Sequence, residues 1–500
     1  MSMLPPGWAM ATLFECCIVV VGQSPPGDTY NVLRSGLPFY QGKAEFGDLY
    51  PTPTKWCSQP TKVAASGDVL ISVRAPVGPT NLAFENCCIG RGLAALRPRN
   101  GIRTKFVLYQ LRHSKRALVG VATGSTFSAV SSQQLREHKF VLAPLPEQDR
   151  IVAEIEKQFS RLEAATAALR RAQANLKRYR ASLLKAACEG RLVPTEAALA
   201  RQEGRSYEPA AQLIERILAE RRARWAAEHG SKKPYKEPAA PDTANLPPLP
   251  EGWAWTTVDQ LASRIQYGSS AKCSADGGVP VLRMGNISTD GSISTAAGIK
   301  YLDESHSEFP DLLLEPGDLL FNRTNSAELV GKSAVYDGIP SPCSFASYLI
   351  RASFSPGVDS RYMCGCLNSV LGRGWIKNVV NQQVGQANVN GTKLRGFCVP
   401  FPPFLEQRRI TGAVAHALDC AAAANAALVA LEKRQQALCQ SILRQAFSGK
   451  LVPQDAADEP AAVLLERIRA ARAAEVPDQT RNRAVRPAQR AKAAAASGAT

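Results

Sequence analysis

Between residues 147 and 189, apolar positions recur at alternating three- and four-residue steps: Ile151, Ile155, Leu162, Ala165, Leu169, Ala172, Leu176, Tyr179 and Leu183, with polar Gln158 interrupting. That spacing is the a/d seam of a long helix packed along its length on another helix. Gly190 and Pro194 supply its stop. A second stretch, 406–448, carries a smaller, alanine-rich seam: Ile410, Val414, Ala417, Ala421, Ala424, Leu428, Leu431, Leu438 and Ile442, with Gly449 and Pro453 after it. At ~1.5 Å per residue each helix is about 65 Å long. Neither can bury its stripe alone, and each is the obvious partner of the other.

The segments before the helices read differently. Residues 1–146 and 251–405 hold short β-branched and apolar runs such as DVLISV and CSFASYLIRASF, punctuated by turn signals such as PPGD, APVGP, SADGG and YDGIP. Each is expected to be a compact α+β domain.

The two halves are copies. LPPGW at 4–8 returns as LPEGW at 249–253, SGDVLISV at 66–73 as PGDLLFNR at 316–323, and PLPEQDRI at 144–151 as PPFLEQRRI at 402–410. SLLKAACEGRLVP at 182–194 returns as SILRQAFSGKLVP at 441–453, and EPAAQLIERI at 208–217 as EPAAVLLERI at 459–468. Glu147 to Glu406 and Pro194 to Pro453 are equal displacements, while Trp8 to Trp253 and Gly67 to Gly317 are shorter. The domains therefore tolerate insertions and the helices keep their length. A period of about 250 residues means two copies of a whole module, not a solenoid.

The predicted order is a first globular domain (1–146), a long helix (147–194), a helical segment with a proline-rich linker (195–250), a second globular domain (251–405), a second long helix (406–453), and a helical segment with a basic, disordered tail (454–500). Parallel helices would force the linker to travel the whole rod. An antiparallel coiled coil needs only a short connection and gives an α+β protein of pseudo-two-fold symmetry, with a domain at each end.

Charge narrows the partners. The formal net charge is +17 and the sequence pI about 9.4, which favours a polyanion. The thirteen cysteines include no C-x-x-C pair, so zinc spacing is missing, and they read as structural thiols of a reduced, cytosolic protein. The N-terminus lacks the layout of a signal peptide, and the longest aliphatic stretch, Ile18–Val21, is far too short to span a bilayer.

At this point the residues resemble a known family. PGDLLFNRTNSAELVGKSAVYDG at 316–338, SGDVLISVRAPVGPTNLA at 66–83 and CCIGRGLAAL at 87–96 are similar to segments of type I restriction–modification specificity subunits. GQANVNGTKLRGFCVPFPPFLEQRRI at 385–410 resembles the junction of a recognition domain with its conserved helix, and GSTFSAVSSQQL at 124–135 is the first-half form. The resemblance covers nearly the whole chain except the tail. It implies two target recognition domains, each reading half of a bipartite site in double-stranded DNA, and helices that set the spacing. It further implies docking of two methylation subunits that use S-adenosylmethionine on adenine N6, and separate motor-nuclease subunits that use ATP. None of that chemistry, and no cofactor, would belong to this chain.

Two motifs invite other readings. LVGKS at 329–333 resembles the end of a phosphate loop, but the position needing the first glycine is Ser326. FPPF at 401–404 resembles an adenine-methylase loop, but Phe401 cannot hydrogen-bond an amino group, so a turn into the helix is the better reading. The five histidines show no metal-ligand spacing. A stand-alone methylase or nuclease would need the missing cofactor motif. A non-catalytic scaffold would not need two variable domains on length-matched rods.

Base reading needs Arg or Lys for guanine and Asn or Gln for adenine. In the first domain the candidates are Gln41, Lys43, Lys62, Arg74 and Arg91, with Ser125 and Thr126 from GSTFSAVS. The second offers Arg283, Asn286, Arg323, Asn325 and Lys332, with Gln386, Asn388 and Asn390 from GQANVNGT. Each has a plainer role open to it. Arg74 and Arg323 follow strand-like runs and can pair with a carboxylate, and Asn325 and Asn390 suit turns. On the rod, Arg170, Arg171, Lys177, Arg178 and Arg180 form either a solvated face or a rim near spacer phosphates.

Overall fold

The computed structural model describes residues 4–122, 129–230, 233–295, 298–383 and 386–475. The chain divides into two units that are not contiguous in sequence, 1–169 with 430–500, and 170–429. Each unit thus combines a globular domain with part of both long helices.

In the first unit a four-stranded sheet runs in the order Cys17–Val21, Leu93–Pro98, Val69–Ser72, Thr80–Leu82, all neighbours antiparallel. The second unit repeats this order with Ala262–Tyr267, Leu349–Phe354, Leu319–Asn322 and Ser333–Val335. Leu70, Ile71, Leu93, Ala94, Ala95 and Leu96 are fully enclosed, because helix Thr104–His113 and a second sheet cover the two faces. Continuous apolar runs such as VLIS read as strands buried on both faces.

The entry to each domain is also duplicated. Ala9–Thr12 pairs antiparallel with Lys139–Leu142, and Ala254–Thr257 with Cys398–Phe401. Thr12 caps the next short helix with Glu15, and Thr257 does so with Gln260. Phe401 closes the last strand and Phe404 opens the long helix, so FPPF is the turn between them.

The long helices span Leu145–Cys188 and Phe404–Ala446. In the first unit Ile151 and Ile155 share a core with Ile442, Leu443, Ala446 and Phe447. Arg150 pairs with Asp458 at 2.6 Å, and Gln435 Nε2 donates to Thr166 Oγ1 at 2.5 Å and to the Leu162 carbonyl. In the second unit Ala187 and Cys188 share a core with Ile410.

The inward positions differ from the expected seam. Thr166 and Arg180 are half-buried where Ala165 and Tyr179 were expected, and Tyr179 is exposed. On the second helix Leu431 and Leu438 are exposed, while Glu432, Gln435 and Cys439 are half-buried. Helical phase, at 3.6 residues per turn, decides which side turns inward; the largest apolar residue does not.

Each long helix ends at a left-handed glycine, Gly190 (φ 65°) and Gly449 (φ 68°). Gly190 packs on Pro250 and Trp253, and Gly449 on Pro5. The post-rod helices Ala210–His229 and Ala461–Glu475 then cover the entries of their own units: Ala210 N donates to Gly252 O and Ala461 N to Gly7 O, both at 2.8 Å.

All thirteen cysteines are free, and burial pushes the Cys16 thiol up to about 12. The helix Phe404–Ala446 also has an 18-residue window of mean hydropathy 1.6, long and apolar enough for a membrane span by composition. Ile18–Val21 is therefore not the measure of the chain's most apolar stretch. The helix is alanine-rich, and its ends contribute Ile410 and Ile442 to the cores.

Candidate nucleic-acid interface

The first unit carries a five-stranded sheet in the order Tyr30–Asn31, Trp56–Cys57, Leu37–Tyr40, Cys87–Ile89, Val63–Ala64. Leu37–Tyr40 and Cys87–Ile89 run parallel, so the residues that follow them emerge at the same end. Those residues are Gln41 and the turn Gly90–Arg91–Gly92. Val63–Ala64 is antiparallel to Cys87–Ile89, which brings Lys62 to that end as well; Ile89 N donates to Lys62 O at 3.0 Å. Val73 N donates to Gly92 O at 2.9 Å, which places Arg74 beside the turn.

Four candidates scattered over fifty residues thus gather on one sheet end. Ser24 ties two of them together: its hydroxyl accepts from Arg91 N at 3.3 Å and from Gln41 Nε2 at 3.5 Å. Thr61 Oγ1 donates to the neighbouring Gln23 carbonyl at 2.8 Å. Gln41, Lys43, Lys62, Arg74 and Arg91 are all exposed. Among the described residues, none of these cations has a carboxylate within ion-pair distance, so Arg74 does not take the partner open to it. Arg97 and Arg103 of the same domain, by contrast, pair with Asp68 and Asp149. A set of unpaired cations on a rigid sheet end is an anion-facing surface. Ser125 and Thr126 lie outside the described residues.

The second unit builds the same place with different side chains. Val279–Leu282 runs parallel to Ser344–Phe345, and Ala346 N donates to Leu282 O at 2.9 Å, as Gly90 N does to Tyr40 O at 2.8 Å. Arg283 follows Leu282 as Gln41 follows Tyr40; it is half-buried, with Nη2 3.4 Å from Gly298 O. Arg323 sits at the position of Val73, one residue before the equivalent of Arg74. Its N–H donates to Tyr348 O, and Val389 N donates to its carbonyl, as Val73 N does to Gly92 O and Val130 N to Val73 O. The Arg323 guanidinium lies 5.0 Å from the Tyr267 ring centre and 3.3 Å from Ser347 O.

Several second-domain candidates are already engaged. Asn286 is 1% exposed, and its amide donates to Ser294 O and Gly298 O while its oxygen accepts from Arg283 N. Such an amide has nothing left to offer a base, so Asn286 holds its turn. Lys332 Nζ donates to Ile287 O at 2.6 Å, and burial lowers its pKa. LVGKS is therefore a packed turn, and Gly331 lies against Ile376. Asn390 caps helix Gly391–Arg395 by accepting from Lys393 N at 2.9 Å, and Asn325 accepts from Ser326 N at 2.9 Å. Asn388 is half-buried on strand Gln386–Asn388, which pairs with Thr324–Asn325; the Gln386 side chain lies outside the described residues. On the rod, Arg180 donates to the Asp290 carbonyl.

Sequence reading missed Ser24, because a serine in GQSPPGD signals only a turn. Its role emerges once the strands bring residues 23–24, 41 and 91 together.

Residues 56–171, which include Lys62, Arg74 and Arg91 but not Gln41, match the type I restriction modification DNA specificity domain, Methylase_S. The specificity subunit of the type I restriction enzyme EcoKI from Escherichia coli K12 is 24% identical over 94% of this chain and 97% of its own length. Over most of its length the chain is thus similar to type I restriction enzyme specificity subunits. A specificity subunit of Methanocaldococcus jannaschii, of enzyme MjaX, is 43% identical over 27% of this chain; the match spans 32% of that relative. The crystal structure of the HsdS subunit from Thermoanaerobacter tengcongensis matches with 50% identity over 33% of this chain and 41% of that one, with a TM-score of 0.31.

Proposed function

We propose that this chain is a type I specificity subunit that reads a bipartite site in double-stranded DNA and catalyses nothing itself. Its partners are two methylation subunits, which modify adenine N6, and motor-nuclease subunits that join through the complex. Its place of work is the cytoplasm, where the host DNA lies.

The observation that carries this reading is the sheet end where Gln41, Lys62, Arg74 and Arg91 gather, all exposed, the three cations without a carboxylate partner among the described residues. Phosphates would meet the lysines, while Gln41 and Arg91 have the paired donors that base edges require. In the second domain Arg283, Arg323, Asn325 and Asn388 hold the matching place. We assign contact with the second half-site to them, and leave Asn286, Lys332 and Asn390 as supports.

We further propose that the two long helices pair as an antiparallel coiled coil and fix the distance between half-sites. Support comes from contacts inside the first unit, where Ile151 and Ile155 share a core with Ile442 and Ala446 and Thr166 meets Gln435, so that rising numbers on one helix meet falling numbers on the other. Equal helix lengths in the two copies suit a ruler, which loses registration when one arm changes.

The test is co-expression with the candidate methylation subunit, followed by mapping of N6-methyladenine across the host genome. The expected result is one bipartite motif that disappears when this chain is omitted. A soluble, co-purifying complex that deposits no new methylation would overturn the DNA-reading role and favour a scaffold.

A further inference from the structure

One feature of the first domain is not explained by cations. Val32 and Leu33 are 72% and 85% exposed, side by side at the tip of a short loop. Isolated surface leucines are ordinary, but two adjacent apolar side chains held out on a constrained loop are not. The constraint is explicit. Asn31 clasps Ser35 from both sides, its Oδ1 accepting from Ser35 N at 3.0 Å and its Nδ2 donating to Ser35 O at 2.8 Å. Arg34 takes a left-handed backbone (φ 60°), and its guanidinium lies 5.5 Å from the Trp56 ring centre.

The sheet fixes the side from which this loop sets out. Tyr30–Asn31 and Leu37–Tyr40 both pair antiparallel with Trp56–Cys57, one on each side: Cys57 faces Tyr30 and Leu37, and Trp56 faces Asn31 and Pro38. The two outer strands therefore run the same way. The chain therefore leaves Asn31 toward the end where Gln41, Lys62 and Arg91 emerge, and the loop carrying Val32 and Leu33 sets out on that side before it returns to Gly36 beside Cys57. Lys55, exposed, stands between them, since Phe39 N donates to Lys55 O at 2.9 Å.

The second domain lacks the tip. Gly278 (φ 84°) stands where Gly36 (φ 89°) does, each too close to a neighbouring carbonyl, Leu302 O or Cys57 O, to carry a side chain. Ser274 pairs with Tyr301 as Asn31 pairs with Trp56. Between them the second domain has only Ala275, Asp276 and Gly277. The scaffold is shared and the tip is not, as expected of an element that lets the two domains read different sequences.

We propose that Val32 and Leu33 form an apolar reading finger that contacts base edges of the first half-site in duplex DNA, the thymine methyl being the group that suits it. This rests on the DNA-reading role above. The flanking Lys55, Lys62 and Arg91 draw in the phosphates, and the finger then discriminates through apolar contact, which cations cannot supply.

The test uses the assembled complex of full-length chain and methylation subunit, with the double variant Val32→Ser, Leu33→Ser. The variant is expected to methylate a motif that becomes degenerate at one or two positions of a single half-site, the same half that Arg91→Ala alters. Affinity for the original site should fall about tenfold, while the slope of log K against log salt stays unchanged, because no phosphate contact is lost. Unchanged motif and affinity would overturn the finger. So would loss of the methylation subunit on purification, which would make the tip a protein-docking knob, or a lowered salt slope, which would make it a backbone contact. An intact second half-site reports that the variant is folded. A wild-type complex without any bipartite motif would instead overturn the DNA-reading role itself.

Discussion

Trp8 donates its indole N–H to Glu147 at 2.9 Å, and the copy of this pair, Trp253 to Glu406, has the same length. Each bond ties the entry strand of a domain to the first turn of the helix that leaves it. The carboxylate is almost fully enclosed, so the donor matters more than in solvent. Burial raises the Glu147 carboxyl above its ordinary range, and the Trp8 N–H and Arg150 partly oppose this. Trp8→Phe should cost about 2 kcal/mol by leaving the carboxylate short of a donor. A carboxyl whose folded pKa is raised costs stability above that pKa, and the cost fades as pH falls through it. Removing the indole raises the carboxyl further. The deficit, read from denaturant melts of wild type and variant, should therefore be larger at pH 8 than at pH 5. A deficit that grows toward acid would refute this account of the pair.

Gly190 and Gly449 end the long helices in a conformation that side chains resist, and a Cβ on either would stand 2.5 Å from a ring carbon of Pro250 or Pro5. Gly190→Ala and Gly449→Ala should each destabilise by at least about 1–2 kcal/mol, from the left-handed backbone alone. Melting each variant beside wild type checks this. Equal melting temperatures would mean that the helix ends are not seated on the domain entries as described.

Much of this architecture was legible because it is duplicated. The duplicated LPPGW and PLPEQDRI motifs are the domain entry and helix start that Trp8 and Glu147 join, so repeated segments mark repeated contacts. The two seams were legible as helices but not in phase: Leu431 and Leu438 looked like core residues, yet Glu432, Gln435 and Cys439 turn inward. Compensated changes were also hidden. Asp68 is paired by Arg97 in the first domain, while its copy Asp318 meets Arg351 and Ser353 on the corresponding strand, with the arginine two positions earlier. Arg74 and Arg323 both close the same duplicated strand run, but one residue out of step, as the alignment of SGDVLISV with PGDLLFNR shows. Candidate residues could be chosen by type, but only strand order shows that Gln41, Lys62, Arg74 and Arg91 meet while Asn286 is enclosed.

The sheet-end cations should separate into two behaviours. Lys62→Ala should weaken DNA binding similarly on all sequences and lower the salt slope by about 0.9, the signature of one lost phosphate contact. Arg91→Ala should cost about 1–3 kcal/mol on the cognate site and relax sequence preference in one half-site. Titrations of the assembled complex against cognate and scrambled duplexes at several salt concentrations distinguish them. Loss of preference with Lys62→Ala but not with Arg91→Ala would reverse the assignment.

The ruler makes a sharper demand, because it converts residues into base pairs. In the first unit Leu162 and Thr166 lie against Gln435. Deleting residues 162–168 together with the facing 429–435 removes one heptad from each arm and keeps the pairing register. At ~1.5 Å per residue this shortens the rod by about 10 Å, close to three base pairs at about 3.4 Å each. Three base pairs also turn the duplex by about 100°, given roughly 10.5 base pairs per turn. The second reader then meets its half-site only if the heptad's removal rotates it in step. Methylation mapping should show either a spacer shortened by about three base pairs or loss of the bipartite site. Deleting one heptad from 151–185 alone leaves the arms unmatched and should alter the spacing or abolish assembly. An active complex with its original spacer after either deletion would show that the distance between half-sites is set elsewhere than in the paired helices.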